Sequence, residues 1–206
     1  MRFLPRLRPW ISVALLSVIL LSACSLAGRQ PPRPNGIALA PDGSIYVMAL
    51  ANHRVVHLAP DGRRLDAFCR LGDRPVDIYE GWGTALDVAG NIYLCHIWRD
   101  QEDSIGRESI KVFSPTGRLV REITAPGEDG AEGCYSVRVD DAGRIFAVYN
   151  NTNHLRIFDP QGRLLTTLWG ATGTGPGEFT GLRDVAFEAP RGLLYAGDAG
   201  NSRIQQ

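Results

Sequence analysis

The sequence predicts an all-β chain built from repeated four-stranded units, and three observations carry that prediction. Turn glycines recur at a near-constant interval: Gly43, Gly90, Gly143 and Gly192 stand 47, 53 and 49 residues apart. Each is followed by a β-branched, aliphatic or aromatic run, namely Ile45-Tyr46-Val47, Ile92-Tyr93-Leu94, Ile145-Phe146-Ala147 and Leu193-Leu194-Tyr195. A second series of turns interleaves with the first, at Pro60-Asp61-Gly62, Pro115-Thr116-Gly117 and Pro160-Gln161-Gly162. Glycine supplies the positive φ that tight turns need, and proline presets the turn entry.

The elements follow in order. Strands precede the second turns at 55–58, 110–113 and 155–158, and others follow them at 64–68, 119–123 and 164–168. Their alternation of apolar and polar residues marks half-buried strands. No apolar stripe of helical period survives the turn spacing after Ala23. A four-stranded unit recurring at this interval is the sequence mark of a β-propeller blade. The chain has 206 residues, 44% of them hydrophobic, with 23 Gly and 13 Pro. That composition excludes a disordered chain and a coiled coil.

The N-terminus reads as an address. Arg2, Arg6 and Arg8 stand ahead of an uncharged, mostly apolar run at 10–23, which ends in Leu21-Ser22-Ala23-Cys24. A spanning helix needs about 20 apolar residues, so a 14-residue run suits a signal segment better. The order of basic residues, apolar run, aliphatic residue, two small residues and Cys resembles a bacterial lipoprotein signal. The resemblance implies that 1–23 is a signal helix removed by cleavage and that Cys24 is acylated as the first mature residue. Two or three acyl chains, at about 0.8 kcal/mol per buried methylene, hold a soluble domain stably on a bilayer. Ser25 follows, not the Asp of the inner-membrane retention signal, and inner and outer membrane both stay open. Residues 24–33, with Pro31-Pro32, read as a tether. Without the three signal arginines, 19 basic side chains face 22 acidic ones, a charge of −3. Such a domain has no electrostatic pull on phosphate backbones, which argues against a nucleic-acid partner.

The region 34–206 resembles NHL-repeat propellers. The match is best in Leu194-Tyr195-Ala196-Gly197-Asp198-Ala199-Gly200-Asn201-Ser202-Arg203-Ile204, with a Gly-rich stretch, Gly173-Thr174-Gly175-Pro176-Gly177-Glu178-Phe179, ahead of it. Asn52-His53-Arg54-Val55 keeps part of the pattern, with Ala49 at the Asp position. Asn153-His154-Leu155-Arg156 keeps it one residue longer, and 99–108 replaces it with a charged insertion. The resemblance implies an NHL-type propeller of which about three and a half blades are present. NHL relatives commonly have six, so two or three further blades are expected beyond Gln206, and this chain alone is expected to form an open arc ending in 193–206.

Function is sought first in what does not repeat. Asp198, Asn201 and Arg203 recur with the fold and read as turn-capping residues. The connections at 70–82, 99–108, 125–135 and 169–182 lie on one rim, where loops carry function. Trp82, Trp98, Arg99, Tyr135 and Trp169 form the candidate rim for a protein or carbohydrate ligand, with packing between blades as the competing use.

No catalytic residue and no cofactor are predicted. His53, His57, His96 and His154 lack metal-ligand spacing, although three of them on one rim are the zinc arrangement of propellers resembling peptide-amidating lyases. Asp77, Glu132 and Asp184 are the oxygen ligands that a calcium site of gluconolactonase type would draw on. Cys69, Cys95 and Cys134 are odd in number, allow one disulfide after export, and include Cys95 inside an apolar run suited to simple burial. The expectation is a lipid-anchored binding or scaffolding module of the cell envelope. The alternative is a metal-dependent hydrolase or lyase at the central channel.

Overall fold

Short apolar runs separated by tight turns favour a meander in which each strand pairs with the next. The computed structural model describes residues 33–72, 74–99, 105–124, 133–169, 171–188 and 191–206. The predicted signal, Cys24 and the tether up to residue 32 lie outside them.

Blade 1 comprises β1 (Pro34–Leu39), β2 (Ile45–Ala49), β3 (Arg54–Leu58) and β4 (Arg64–Phe68). Blade 2 comprises β5 (Glu80–Leu86), β6 (Ile92–Arg99), β7 (Ile105–Phe113) and β8 (Leu119–Ile123). Blade 3 comprises β9 (Cys134–Val139), β10 (Ile145–Tyr149), β11 (His154–Phe158) and β12 (Leu164–Trp169). A short parallel pair, β13 (Ala171–Thr172) and β14 (Glu178–Phe179), leads to the three strands of blade 4. These are β15 (Leu182–Glu188), β16 (Leu193–Asp198) and β17 (Arg203–Gln205). The fold is all-β, with three four-stranded propeller blades and three strands of a fourth in sequence, as the repeat predicts.

The turns repeat one chemistry. Asp42 Oδ1 accepts from Ser44 N–H at 2.9 Å, and Asp140 Oδ1 from the amides of Ala142 and Arg144 at 3.0 and 2.8 Å. Gly43 sits at φ +83°, and the space where its Cβ would stand is 3.3 Å from the Pro60 ring. Gly143 meets Pro160 in the same way. The two turn series are therefore packed on each other within a blade, which explains why both recur.

Strand period two becomes the blade interface. In β10, Ile145, Ala147 and Tyr149 join the core against blade 2, whereas Phe146 and Val148 join the core against blade 4. In β6, Ile92 and Leu94 face blade 1 while Tyr93 and Cys95 face blade 3. At the ends of the series apolar residues stay open: Ile37 and Leu39 of β1 are 62% and 69% exposed, and Ile204 of β17 is 75% exposed.

Three expectations change. The charged segment 99–108 is mostly not a loop: β6 and β7 extend as a hairpin that pairs Trp98 with Arg107 and Arg99 with Ile105, and 100–104 lies outside the described residues. Polar residues suit it because only part of each extended strand is covered. The connection 70–82 gives up its last residues to β5, and Tyr135 belongs to β9. Cys95 is buried as its apolar run implies, but it is also bridged to Cys134, with Cα atoms 5.5 Å apart, joining blade 2 to blade 3.

Candidate functional site: the bulged row at the channel mouth

Each innermost strand carries an irregularity at one level. Pairing shifts between Pro34 and Gly36, between Gly81 and Thr84, between Cys134 and Ser136, and between Leu182 and Asp184. A β-bulge leaves one residue unpaired and re-aims its side chain. The register therefore makes Asn35, Trp82, Tyr135 and Arg183 equivalent, one from each blade, followed by Gly36, Gly83, Ser136 and Asp184.

The row is continuous. The Trp82 and Tyr135 rings are 4.9 Å apart, and the Arg183 guanidinium, at the end of the series, lies 4.6 Å from the Tyr135 centroid. Asn35 Nδ2 donates to Gly81 O at 3.3 Å. A cavity of about 330 Å³ is bounded by β1, β5, β9 and β15, with Tyr135, Arg183, Asp184, Arg138, Thr84 and Asn35 on its wall. Asp184 accepts from Ser136 Oγ at 2.7 Å and from the Arg138 guanidinium. Thr84 is only 3% exposed and its hydroxyl has no partner. Gly36 and Gly83 let the strands approach the axis: a Cβ on Gly83 would stand 2.5 Å from Ser136 Cα.

The candidates from sequence fall into three places. Trp82 and Tyr135 enter the row. Arg99 and Trp82 meet at Glu80, whose two oxygens accept from Arg99 Nε at 2.9 Å and Trp82 Nε1 at 3.2 Å. Trp98 stands on the hairpin with the Arg107 guanidinium 5.6 Å from its ring. Trp169 ends β12 on the outer edge of blade 3, opposite His154. Asn35 and Arg183 are missed by a search for aromatics. Their signal is positional: Asn35, Trp82 and Tyr135 each precede a turn glycine by eight residues, and Arg183 does so by nine.

The histidines are distributed through the blades. His57 stacks on Tyr46 at 4.2 Å and pairs with Asp66 at 3.6 Å. His53 Nδ1 contacts Tyr79 O, while His96 Nε2 accepts from Tyr79 N–H at 3.2 Å, so blades 1 and 2 grip one residue of their connection. His154 starts β11. Asp77 is buried in the same connection under Arg74 and Arg70, and Asp184 stands at the channel. Glu132 lies outside the described residues. Among the described residues, no three His, Cys, Asp or Glu side chains converge as a metal set.

Burial, helped by the charges of Lys111 and Arg107, pushes the His96 imidazole down to about 3. The sign follows: the unfolded chain takes up this proton near pH 6.5, whereas the folded one resists it until about pH 3. Stability is then fully present above pH 6.5 and falls as pH drops through this window, by about 1.4 kcal/mol per pH unit. Urea unfolding from pH 7 to pH 4 should show this slope, and His96→Gln should flatten it. The Asp77 carboxyl, held down to about 2 chiefly by the Arg74 hydrogen bond against the pull of burial, adds its own loss between about pH 4 and pH 2.

The repeat signature is structural. Asp198, fully buried, accepts from Thr180 N–H at 3.0 Å, Asn201 Nδ2 at 2.7 Å and Arg203 Nε at 3.0 Å. Arg203 also donates to the carbonyls of Thr174, Gly175 and Glu178, so the signature clasps the glycine-rich connection ahead of its blade. Burial alone would raise the Asp198 carboxyl, but these donors outweigh it and hold it below the usual range.

No family model matches the chain. It is 25% identical over 176 residues to human NHL repeat-containing protein 3, covering 80% of this chain and 48% of that protein. The chain thus spans about half the length of that relative. A catalytically inactive virginiamycin B lyase from Staphylococcus aureus, solved with quinupristin, superposes with a TM-score of 0.62 at 14% identity, covering 86% of this chain and 53% of the other. A chain of a nidogen–laminin complex does so with 0.60 at 19% identity, covering 84% and 59%. These likenesses are likenesses of fold. With the repeat, the four-stranded blades and the sequence relative together, the chain is a homologue of NHL repeat-containing proteins with a β-propeller fold.

Proposed function

We propose that this chain is a lipid-anchored, extracytoplasmic binding or scaffolding module that takes a protein or carbohydrate ligand at the channel mouth and its adjoining rim. The observation that carries the reading is the row of four equivalent bulged residues, of which Asn35, Tyr135 and Arg183 line one cavity while Trp82 packs against the Tyr135 ring beside it. They differ in chemistry while the fold around them repeats, as expected of a recognition surface on a rigid scaffold. The Cys95–Cys134 bridge agrees with an oxidising compartment, and the lipoprotein-like signal ending in Leu21-Ser22-Ala23-Cys24 agrees with a membrane anchor. Purified protein should retain a ligand from glycan and peptide panels, and Trp82→Ala should weaken that binding at least tenfold.

Anchoring has its own test. Cys24→Ala should leave the protein unprocessed or release it in soluble form, whereas wild type fractionates with membranes. Equal solubility of the two proteins would overturn the lipid anchor. The alternative, a metal-dependent hydrolase or lyase at the channel, draws on a lyase among the solved structures of like fold. Stoichiometric zinc or calcium in purified protein, lost when His53, His96 and His154 are replaced together or when Asp184 is replaced, would favour it.

A further inference from the structure

We propose that the bulged row recognises a small sugar acid of the hexuronate kind, with Arg183 as the partner of its carboxylate. This deepens the reading of the channel mouth as a binding site and rests on it. Arg183 is exposed and lies over the Tyr135 ring at 4.6 Å. A guanidinium stacked in this way has its face covered while its N–H donors, which lie in its plane, remain available as a fork for a carboxylate. Among the described residues Arg183 makes no ion pair, whereas Arg138, the other arginine of the wall, is committed to Asp184. Two guanidinium groups against one carboxylate leave a single positive charge. That balance suits a monoanion, and Asp184 opposes a doubly charged phosphate.

The rest of the wall asks for hydroxyl groups. Thr84 is 97% buried, lines the cavity, and has a hydroxyl with no partner. Its oxygen is closed off against Gly36, so a ligand meets Thr84 as packing surface, and the polar contacts fall to Asn35 and Asp184. Asn35 uses its amide nitrogen on Gly81 O, which leaves its Oδ1 to accept. Asp184 keeps acceptor capacity beyond its bonds to Ser136, Arg138 and the Val185 amide, because its side chain remains half exposed. Exposed Ile37 and the edge of Tyr135 offer apolar surface to a ring. The volume, about 330 Å³, lies at the small-ligand end of binding sites. A neutral sugar would leave Arg183 unused, and a simple carboxylate would leave the acceptors of Asn35 and Asp184 unused.

Calorimetric titration of the full chain with glucuronate and with glucose tests the idea. Glucuronate should bind at least tenfold more tightly than glucose. Arg183→Gln should bring the two within about twofold of each other without moving the melting temperature, since Arg183 is exposed. Asn35→Ala should weaken glucuronate several-fold, and its melting curve is recorded in parallel because Asn35 also donates to Gly81 O. Equal affinities in wild type, or a preference that survives Arg183→Gln, would overturn the sugar-acid assignment. If a neutral glycan or a peptide binds in a Trp82-dependent manner while glucuronate does not, the assignment falls and the binding module stands. If no member of any panel binds, both fall.

Discussion

Gly83→Ala is expected to destabilise the protein by about 3 kcal/mol, out of proportion to a single methyl group. The added Cβ would stand 2.5 Å from Ser136 Cα and 2.6 Å from Val137 N, both backbone atoms of the neighbouring blade. No rotamer change relieves such a contact, so the innermost strands of blades 2 and 3 must separate. That separation would open the core holding Ala85, Cys134 and Val137 and displace Tyr135 from the channel. Urea unfolding of the variant measures the loss. An unchanged midpoint would mean that β5 and β9 do not meet as described.

Removal of the Cys95–Cys134 bridge should cost a similar amount. The cysteines are 39 residues apart, and closing a loop of that size restricts the unfolded chain by about 4 kcal/mol on the chain-entropy account. Both cysteines are fully buried, so native protein should resist a reductant that acts readily once the chain is opened in urea. The double variant Cys95→Ala, Cys134→Ala should unfold at lower urea than wild type, and reductant should not shift it further. Cys69, also free of the bridge, has a thiol pushed up to about 12 by burial, which keeps it inert toward alkylation in the folded protein.

What was legible in the sequence was what neighbouring residues decide. The strands Arg64–Phe68 and Leu119–Ile123 match to the residue because a Pro-x-Gly turn fixes one end and alternation fixes the span. The hairpin beyond Trp98 was hidden because its strands lose burial toward the tip, and period two fades with burial. The site was half legible. Trp82 and Tyr135 declare themselves as large aromatics beside the connections between blades. Asn35 and Arg183 are ordinary polar residues until four blades bring equivalent positions together around one axis. The bridge was obscured by similar geometry: Cys95 shares a face with Tyr93 toward blade 3, and only blade packing brings Cys134 there.

Every blade among the described residues is a meander, and that sets an order of events as the chain is made. Each strand pairs with one only a turn or short connection away, so loop closure costs little and contact order is low for an all-β protein. A blade can therefore close soon after its last strand is synthesised, without waiting for distant partners. Cys95 is the exception. Its sulfur belongs to blade 2 but its partner arrives with the first strand of blade 3, so this bond can form correctly only after two blades have docked. Until then Cys69 is the one other cysteine already made within the domain, and its place in the connection after blade 1 separates it from the face Cys95 presents to blade 3. Vectorial closure of the blades thus steers the thiols toward the native pair.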